Sequence, residues 1–239
     1  KMGATQFIKA QSLFNFGTRT GIDLPNEGAG IIHTKDSMGE TELACSAFGQ
    51  GYTLTMIQEI NAMCSVINGG YYYQPHLVTK IKDSSGGIVK TVSPTLMKQT
   101  ISEEISANIR SYMAASVDHG TSRTSKVQGY SSGGKTGTAQ KLPRSEKKWL
   151  ISVAAFAPAE NPQYVLYVVI DEPQGTTGTS GSGMDVQELT HDMLAELLPY
   201  LGVPKDTTAT TENGNSESGS EGEGGIEVPE GTTLESTSS

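Results

Sequence analysis

Residues Gly133-Gly134-Lys135-Thr136-Gly137-Thr138-Ala139-Gln140 place a cation, two hydroxyls and a bare glycine on what reads as the start of a β-strand. Alternate residues of an extended chain point to opposite sides, so Lys135, Gly137 and Ala139 share one side and Thr136, Thr138 and Gln140 the other. Gly137 removes a side chain where a second backbone or a ligand can approach closely. An ammonium flanked by hydroxyls suits a carboxylate ligand. An unpaired strand edge offers N–H groups that can hold an extended peptide or an oxyanion. Taken alone, the same residues also describe an edge strand protected by a charge.

Acyl transfer at such an edge needs a nucleophile, and the formal candidates within the chain are poor. Ser132 and Lys135 have S-x-x-K spacing, but Lys135 would then serve two sites. Ser145 and Lys148 share that spacing within a charged turn. Ser106-Ala107-Asn108 lies inside an amphipathic helix. His33, His76, His119 and His191 are scattered without acidic partners at ligand spacing, so no metal site is expected. Asp171-Glu172 could be paired carboxylates, but at the end of a buried strand before Pro173 they read better as part of a turn. The polar loop Gln174–Gly183 lacks the G-x-x-x-x-G-K-[ST] spacing of a phosphate loop, and its role is open. Cys45 and Cys64 are not in C-x-x-C spacing and read as two small buried thiols, with a disulfide between them the less favoured alternative.

The elements around this strand follow from periodicity. Thr53–Asn68 carries a helical stripe of Leu54, Ile57, Ile60, Met63, Cys64 and Ile67, ended by Gly69-Gly70. Residues 76–92 read as a hairpin about the turn Asp83–Gly87. Ser102 caps a helix running to His119, with Ile105, Ile109, Tyr112 and Met113 expected to be buried. Three strands follow at short spacing, Gly134–Leu142, Trp149–Ala157 and Gln163–Asp171, favouring an antiparallel meander. A last amphipathic helix, Gln187–Leu198, presents Leu189, Met193, Leu194, Leu197 and Leu198. The fold class is therefore α+β, an antiparallel sheet packed with helices.

Composition separates body from tail. The 239 residues carry 17 basic and 26 acidic side chains, and eight of the acids lie in 206–239, where there is no Lys or Arg. Removing those eight leaves 18 acids against 17 bases in residues 1–205, a net of −1. A near-neutral body argues against a nucleic-acid partner, which requires a basic face. Residues 206–239 are rich in Gly, Ser, Thr and Glu and are expected to be disordered. No apolar run reaches the ~20 residues that span a bilayer, and the chain opens on Lys1-Met2-Gly3 like a piece of a longer protein.

Several stretches, in order, carry a family resemblance: Phe16–Pro25, Phe48–Gln58, Ser65–Gly70 with Pro75-His76, Val117–Thr121, the Lys135-Thr136-Gly137 strand, Trp149–Pro158 and Val168–Pro173. Over almost all of residues 1–204 the sequence resembles the transpeptidase domain of class B-type penicillin-binding proteins, whose K-T-G motif stands beside S-x-x-K and S-x-N. The resemblance implies the fold shared with serine β-lactamases, here incomplete. It implies that Lys135, Thr136, Gly137 and Thr138 bind substrate. Lys135 would help position the proton-relay groups, and the Thr138 N–H would donate to the oxyanion. The family's nucleophilic serine and S-x-N motif would lie upstream of Lys1, leaving this fragment inactive alone. The implied partners are a peptidoglycan stem peptide ending in D-Ala-D-Ala and β-lactams, with no cofactor. The implied setting is the extracytoplasmic face of the bacterial membrane, through an anchor in the missing N-terminal part. Two alternatives stay open: a β-lactam sensor or β-lactamase relative, and a non-catalytic binding module that has lost its serine.

Overall fold

The computed structural model describes residues 2–174 and 184–206; nearly all of the loop singled out above and residues 207–239 of the tail lie outside them. The elements are α1 (Ala4–Leu13), α2 (Glu40–Ala47), α3 (Met56–Ile67), β1 (Tyr71–Gln74), β2 (Lys80–Lys82), β3 (Ile88–Thr91), β4 (Thr95–Gln99), α4 (Glu103–Asp118), β5 (Gly133–Gln140), β6 (Trp149–Ala157), β7 (Tyr164–Asp171) and α5 (Met184–Tyr200).

The central sheet is the expected meander, antiparallel in the order β5-β6-β7. β6 is a run of β-branched, aromatic and small residues, buried from Ile151 to Ala157 because helices cover both of its faces. On one face Ile151, Val153, Ala155 and Val168 pack against Val186, Leu194 and Leu198 of α5. On the other, Phe156 meets Ile67 of α3 and Met113 of α4. At this end the result is three layers, with β5 as an edge strand. Two small sheets stand apart: β1 pairs with β4, and β2 with β3.

Helix α3 starts three residues later than its stripe suggests. Thr53 is held in a bridge with Ile31, and Thr55 closes a capping box with Gln58. Asn68 caps the other end. The chain then turns at Gly70, whose N–H reaches Ser65 O at 2.9 Å; its φ of +92° and a position where a Cβ would lie 1.9 Å from Ile101 O admit only glycine.

The hairpin is shorter than expected. The Leu77 and Val78 N–H groups donate to the Asp23 carboxylate at 2.7 and 2.9 Å, which removes them from the ladder; the turn at Asp83 is as read, its carboxylate accepting from Ser85 and Gly87. The expected inner faces of two helices also need correction. Ile105 and Tyr112 are exposed, and α4 buries Ser106, Met113 and Val117 instead. The Ser106 hydroxyl donates to Val66 O and accepts from Gly69 N–H, so a polar residue takes the inner position. Leu189 and Met193 of α5 are likewise exposed, while Val186, Gln187 and Thr190 are buried. Cys45 and Cys64 are free thiols, half-buried rather than fully buried.

Gln58 ties α3 to the segments before it. Fully buried, its amide donates to Thr18 O and Ala29 O, each at 2.8 Å, and its carbonyl accepts from Thr55 N–H at 2.9 Å. Replacing Gln58 with Leu removes all three of these hydrogen bonds from a fully buried side chain. The expected loss is about 3 kcal/mol of folding stability, read as a lower denaturation midpoint at unchanged slope.

Candidate functional site on the open edge of β5

The register of the meander sets which groups β5 offers. Lys135 lies opposite Ala154, Thr136 opposite Val153, Gly137 opposite Ser152 and Thr138 opposite Ile151. Just beyond the strand, Lys141 N–H donates to Lys148 O at 2.9 Å. In an antiparallel ladder, hydrogen-bonded pairs recur at every second residue. Lys135, Gly137 and Ala139 therefore turn their backbone groups toward β6, whereas Thr136, Thr138 and Gln140 turn theirs to the open edge. The Lys135 ammonium, exposed, donates to the outward Thr136 carbonyl at 2.6 Å.

The four residues expected at the site are thus joined by the strand edge, not by a shared face. The Lys135 side chain and Gly137 lie on the face toward α3 and α4. The Thr136 and Thr138 side chains lie on the α5 face, and their N–H groups point between the two. Gly137 is required by closeness: a Cβ there would stand 2.6 Å from Ser152 Oγ.

Below this edge runs a cleft of about 690 Å³ between the β5-β6-β7 sheet and the chain from Gly49 to Glu59. Gly137, Thr138 and Ala139 form its upper wall; Leu150, Ser152, Tyr167 and Val169 line the sheet side. Glu59 faces it from α3. Burial pushes the Glu59 carboxyl above its ordinary value of 4.5. The Tyr52 and Tyr167 phenols are pushed up by burial too, and the Glu59 charge raises both further; a hydrogen bond with Ser152 opposes this at Tyr167. Sequence reading passed over Glu59. Its one signal is an acid one turn from both Met56 and Met63, at the margin of an apolar stripe.

The other candidates resolve into structural roles. Ser106 is bonded as described, and Ser132 is buried. Ser145 sits in the exposed turn Arg144–Glu146, while Lys148 pairs with Glu146 at 3.0 Å. Asp171 and Glu172 both hold the Lys141 ammonium, at 2.9 and 2.7 Å; that hydrogen bond keeps Glu172 below the usual carboxylate range. Among the described residues no group of His, Cys, Asp and Glu is arranged to hold a metal ion.

A helix-sheet-helix body with a Lys-Thr-Gly edge strand beside an open cleft is the architecture of penicillin-binding transpeptidase domains. The family model described as the penicillin binding protein transpeptidase domain matches residues 1–195, and the chain belongs to this family. It is 39% identical over 207 residues to stage V sporulation protein D of Bacillus subtilis, covering 85% of this chain and 32% of that protein. It is 27% identical to penicillin-binding protein PbpB of Mycolicibacterium smegmatis, covering 85% and 33%. The chain therefore spans about a third of the length of these relatives. Penicillin-binding protein 3 of Mycobacterium tuberculosis, solved in complex with ampicillin, superposes with a TM-score of 0.75 at 25% identity over 87% of this chain and 48% of that one. A peptidoglycan synthetase from Bifidobacterium adolescentis gives 0.75 at 29% identity, over 88% and 38%.

The Glu59 carboxyl binds its proton more tightly folded than unfolded. It therefore favours folding least once the pH has risen from the ordinary 4.5 through the raised folded value. Glu59→Gln removes this handicap. The melting temperature of the variant minus that of the wild-type chain should grow between about pH 4 and about pH 8, as followed by thermal denaturation.

Proposed function

We propose that the chain is the C-terminal part of a serine D,D-transpeptidase that cross-links peptidoglycan stem peptides and is acylated by β-lactams. The observation that carries this reading is the outward-facing backbone of Thr136 and Thr138 beside the Lys135 ammonium, in a chain of this family. A stem peptide ending in D-Ala-D-Ala lies along the open edge, its terminal carboxylate held by the Thr136 and Thr138 hydroxyls and attracted by Lys135. Its scissile carbonyl oxygen points at the Thr138 N–H. A serine from the part of the protein preceding Lys1 attacks that carbonyl. Negative charge builds on the oxygen, the preorganised N–H stabilises it, and D-alanine departs to leave an acyl-enzyme. The amine of a second stem peptide then attacks the ester, forming the cross-link and releasing the serine.

A β-lactam carries an anionic group, a carboxylate in ampicillin and a sulfonate in aztreonam, beside a strained amide, and M. tuberculosis penicillin-binding protein 3 has been solved with both. Residues 1–205 form the C-terminal portion of the transpeptidase domain in this reading, and 206–239 an acidic appendage. The reaction takes place on the extracytoplasmic face of the membrane, reached through an anchor elsewhere in the protein; among the described residues no helix is long and apolar enough to cross a bilayer.

The test uses the longer protein that includes the preceding region. Lys135→Ala should reduce the rate of labelling by a fluorescent penicillin by roughly 100-fold and leave the melting temperature unchanged, since Lys135 is exposed and, among the described residues, bonded only to its neighbour's carbonyl. Labelling at the wild-type rate would remove Lys135 from the site.

A further inference from the structure

A peptide whose terminal carboxylate sits at Thr136 and whose scissile carbonyl sits at the Thr138 N–H runs antiparallel to β5. Residues opposite one another in such a pair exchange both hydrogen bonds, so the penultimate residue lies opposite Thr138. Toward the peptide's N-terminus, the next two residues lie opposite Ala139 and Gln140, at about 3.4 Å per residue. The chain beyond them meets the turn 141–148 that joins β5 to β6.

That turn is folded back on the end of the strand. The Lys141 N–H donates to Lys148 O at 2.9 Å, the Gln140 side-chain amide to Arg144 O at 3.1 Å, and the Lys147 N–H to Arg144 O at 3.2 Å. Its cations are Lys141, Arg144, Lys147 and Lys148, and its one acid is Glu146. The two lysines at the base are occupied: Lys141 holds Asp171 and Glu172, and Lys148 holds Glu146 and Glu172. Arg144 and Lys147, both exposed, pair with no acid among the described residues. Residues 175–183, which follow Glu172 in the chain, contain no Asp or Glu. Lys147 has a φ of +53°, a left-handed conformation that glycine or asparagine adopts with less strain. A cation therefore stands where a neutral residue would suit the backbone better.

We propose that Arg144 and Lys147 form a subsite for a carboxylate borne by the third or fourth residue from the C-terminus of the stem peptide. The subsite selects acidic peptides over those in which that carboxylate is amidated or missing. This rests on the transpeptidase reading, which supplies the direction of the bound peptide. The guanidinium can hold a carboxylate through two parallel N–H donors, and the ammonium adds a second positive charge. Both side chains stand in water, so the attraction is modest and screened by salt. It is suited to choosing between peptides that the β5 edge already holds.

The test uses the longer protein that includes the preceding region, and a matched pair of penicillins. Both carry the same unbranched acyl side chain of about five carbons, long enough to pass Ala139 and Gln140 at about 3.4 Å per residue. It ends in a carboxylate in one compound and in the primary amide in the other. Because the lactam amide takes the place of the scissile bond, this side chain lies on the upstream side, toward the turn. Acylation rates are read by competition with a fluorescent penicillin. In the wild-type protein the carboxylate compound should acylate about 5-fold faster than the amide at low ionic strength. That ratio should approach unity at about 1 M salt, where the screening length is about 3 Å. Arg144→Gln and Lys147→Gln should each lower the ratio partway and together bring it close to unity. The amide compound is the reference within each protein, so a general loss of reactivity in a variant cancels. A wild-type ratio of unity would overturn the proposal, and so would a preference that survives in the double variant. Acylation of the wild-type protein by neither penicillin would instead defeat the transpeptidase reading itself.

Discussion

An antiparallel strand spends the backbone groups of every second residue on its neighbour and turns the rest away. On β5 that parity places the N–H and C=O groups of Thr136 and Thr138 on the open side, while Lys135 and Gly137 carry the pairing to β6. A slip of one residue would exchange the two sets. The outward N–H groups would then belong to Lys135 and Gly137, and the threonines would be locked into the sheet. The function proposed for this chain depends on that register more than on any single side chain.

The register is in turn fixed by what covers the sheet. Ile151, Val153, Ala155 and Val168 alternate onto the α5 face, and Phe156 onto the face of α3 and α4. Displacing β6 by one residue would turn these apolar side chains to the wrong layers. Gly137 lets β5 lie against β6 where the Ser152 hydroxyl leaves no room for a Cβ. On the far side of the cleft, the buried Gln58 anchors α3 to the loops before it through hydrogen bonds to Thr18 and Ala29. The cleft is thus a gap between two walls, the sheet on one side and the anchored start of α3 on the other.

Much of this was legible in the chain. The meander, the capped helix after Ser102 and the Gly69-Gly70 stop came from local rules, because a β-branched run, a cap residue and a glycine act within a few residues of themselves. The Lys135–Thr138 edge was legible because its residue types and order carry the family's chemistry. The helix faces were less so. Ile105, Tyr112, Leu189 and Met193 satisfy the apolar periodicity of a buried face but lie exposed, while Ser106, Gln187 and Thr190 are inside. Periodicity counts apolar residues, whereas burial depends on which neighbour arrives and whether a hydroxyl such as that of Ser106 finds partners there.

The sequence by itself determined the order of the elements, the antiparallel sheet, the family and the residues of its edge motif. It also separated a near-neutral body from an acidic end. Each of these is written in residues close together along the chain. Tertiary structure decided which backbone groups of that motif face outward and which layer of helices each of its two faces meets. It also brought Glu59 beneath the same edge, although some 80 residues separate it from the motif. Such relations between distant residues have no local signature, because packing and hydrogen-bond register fix them only when the whole sheet and its helices assemble.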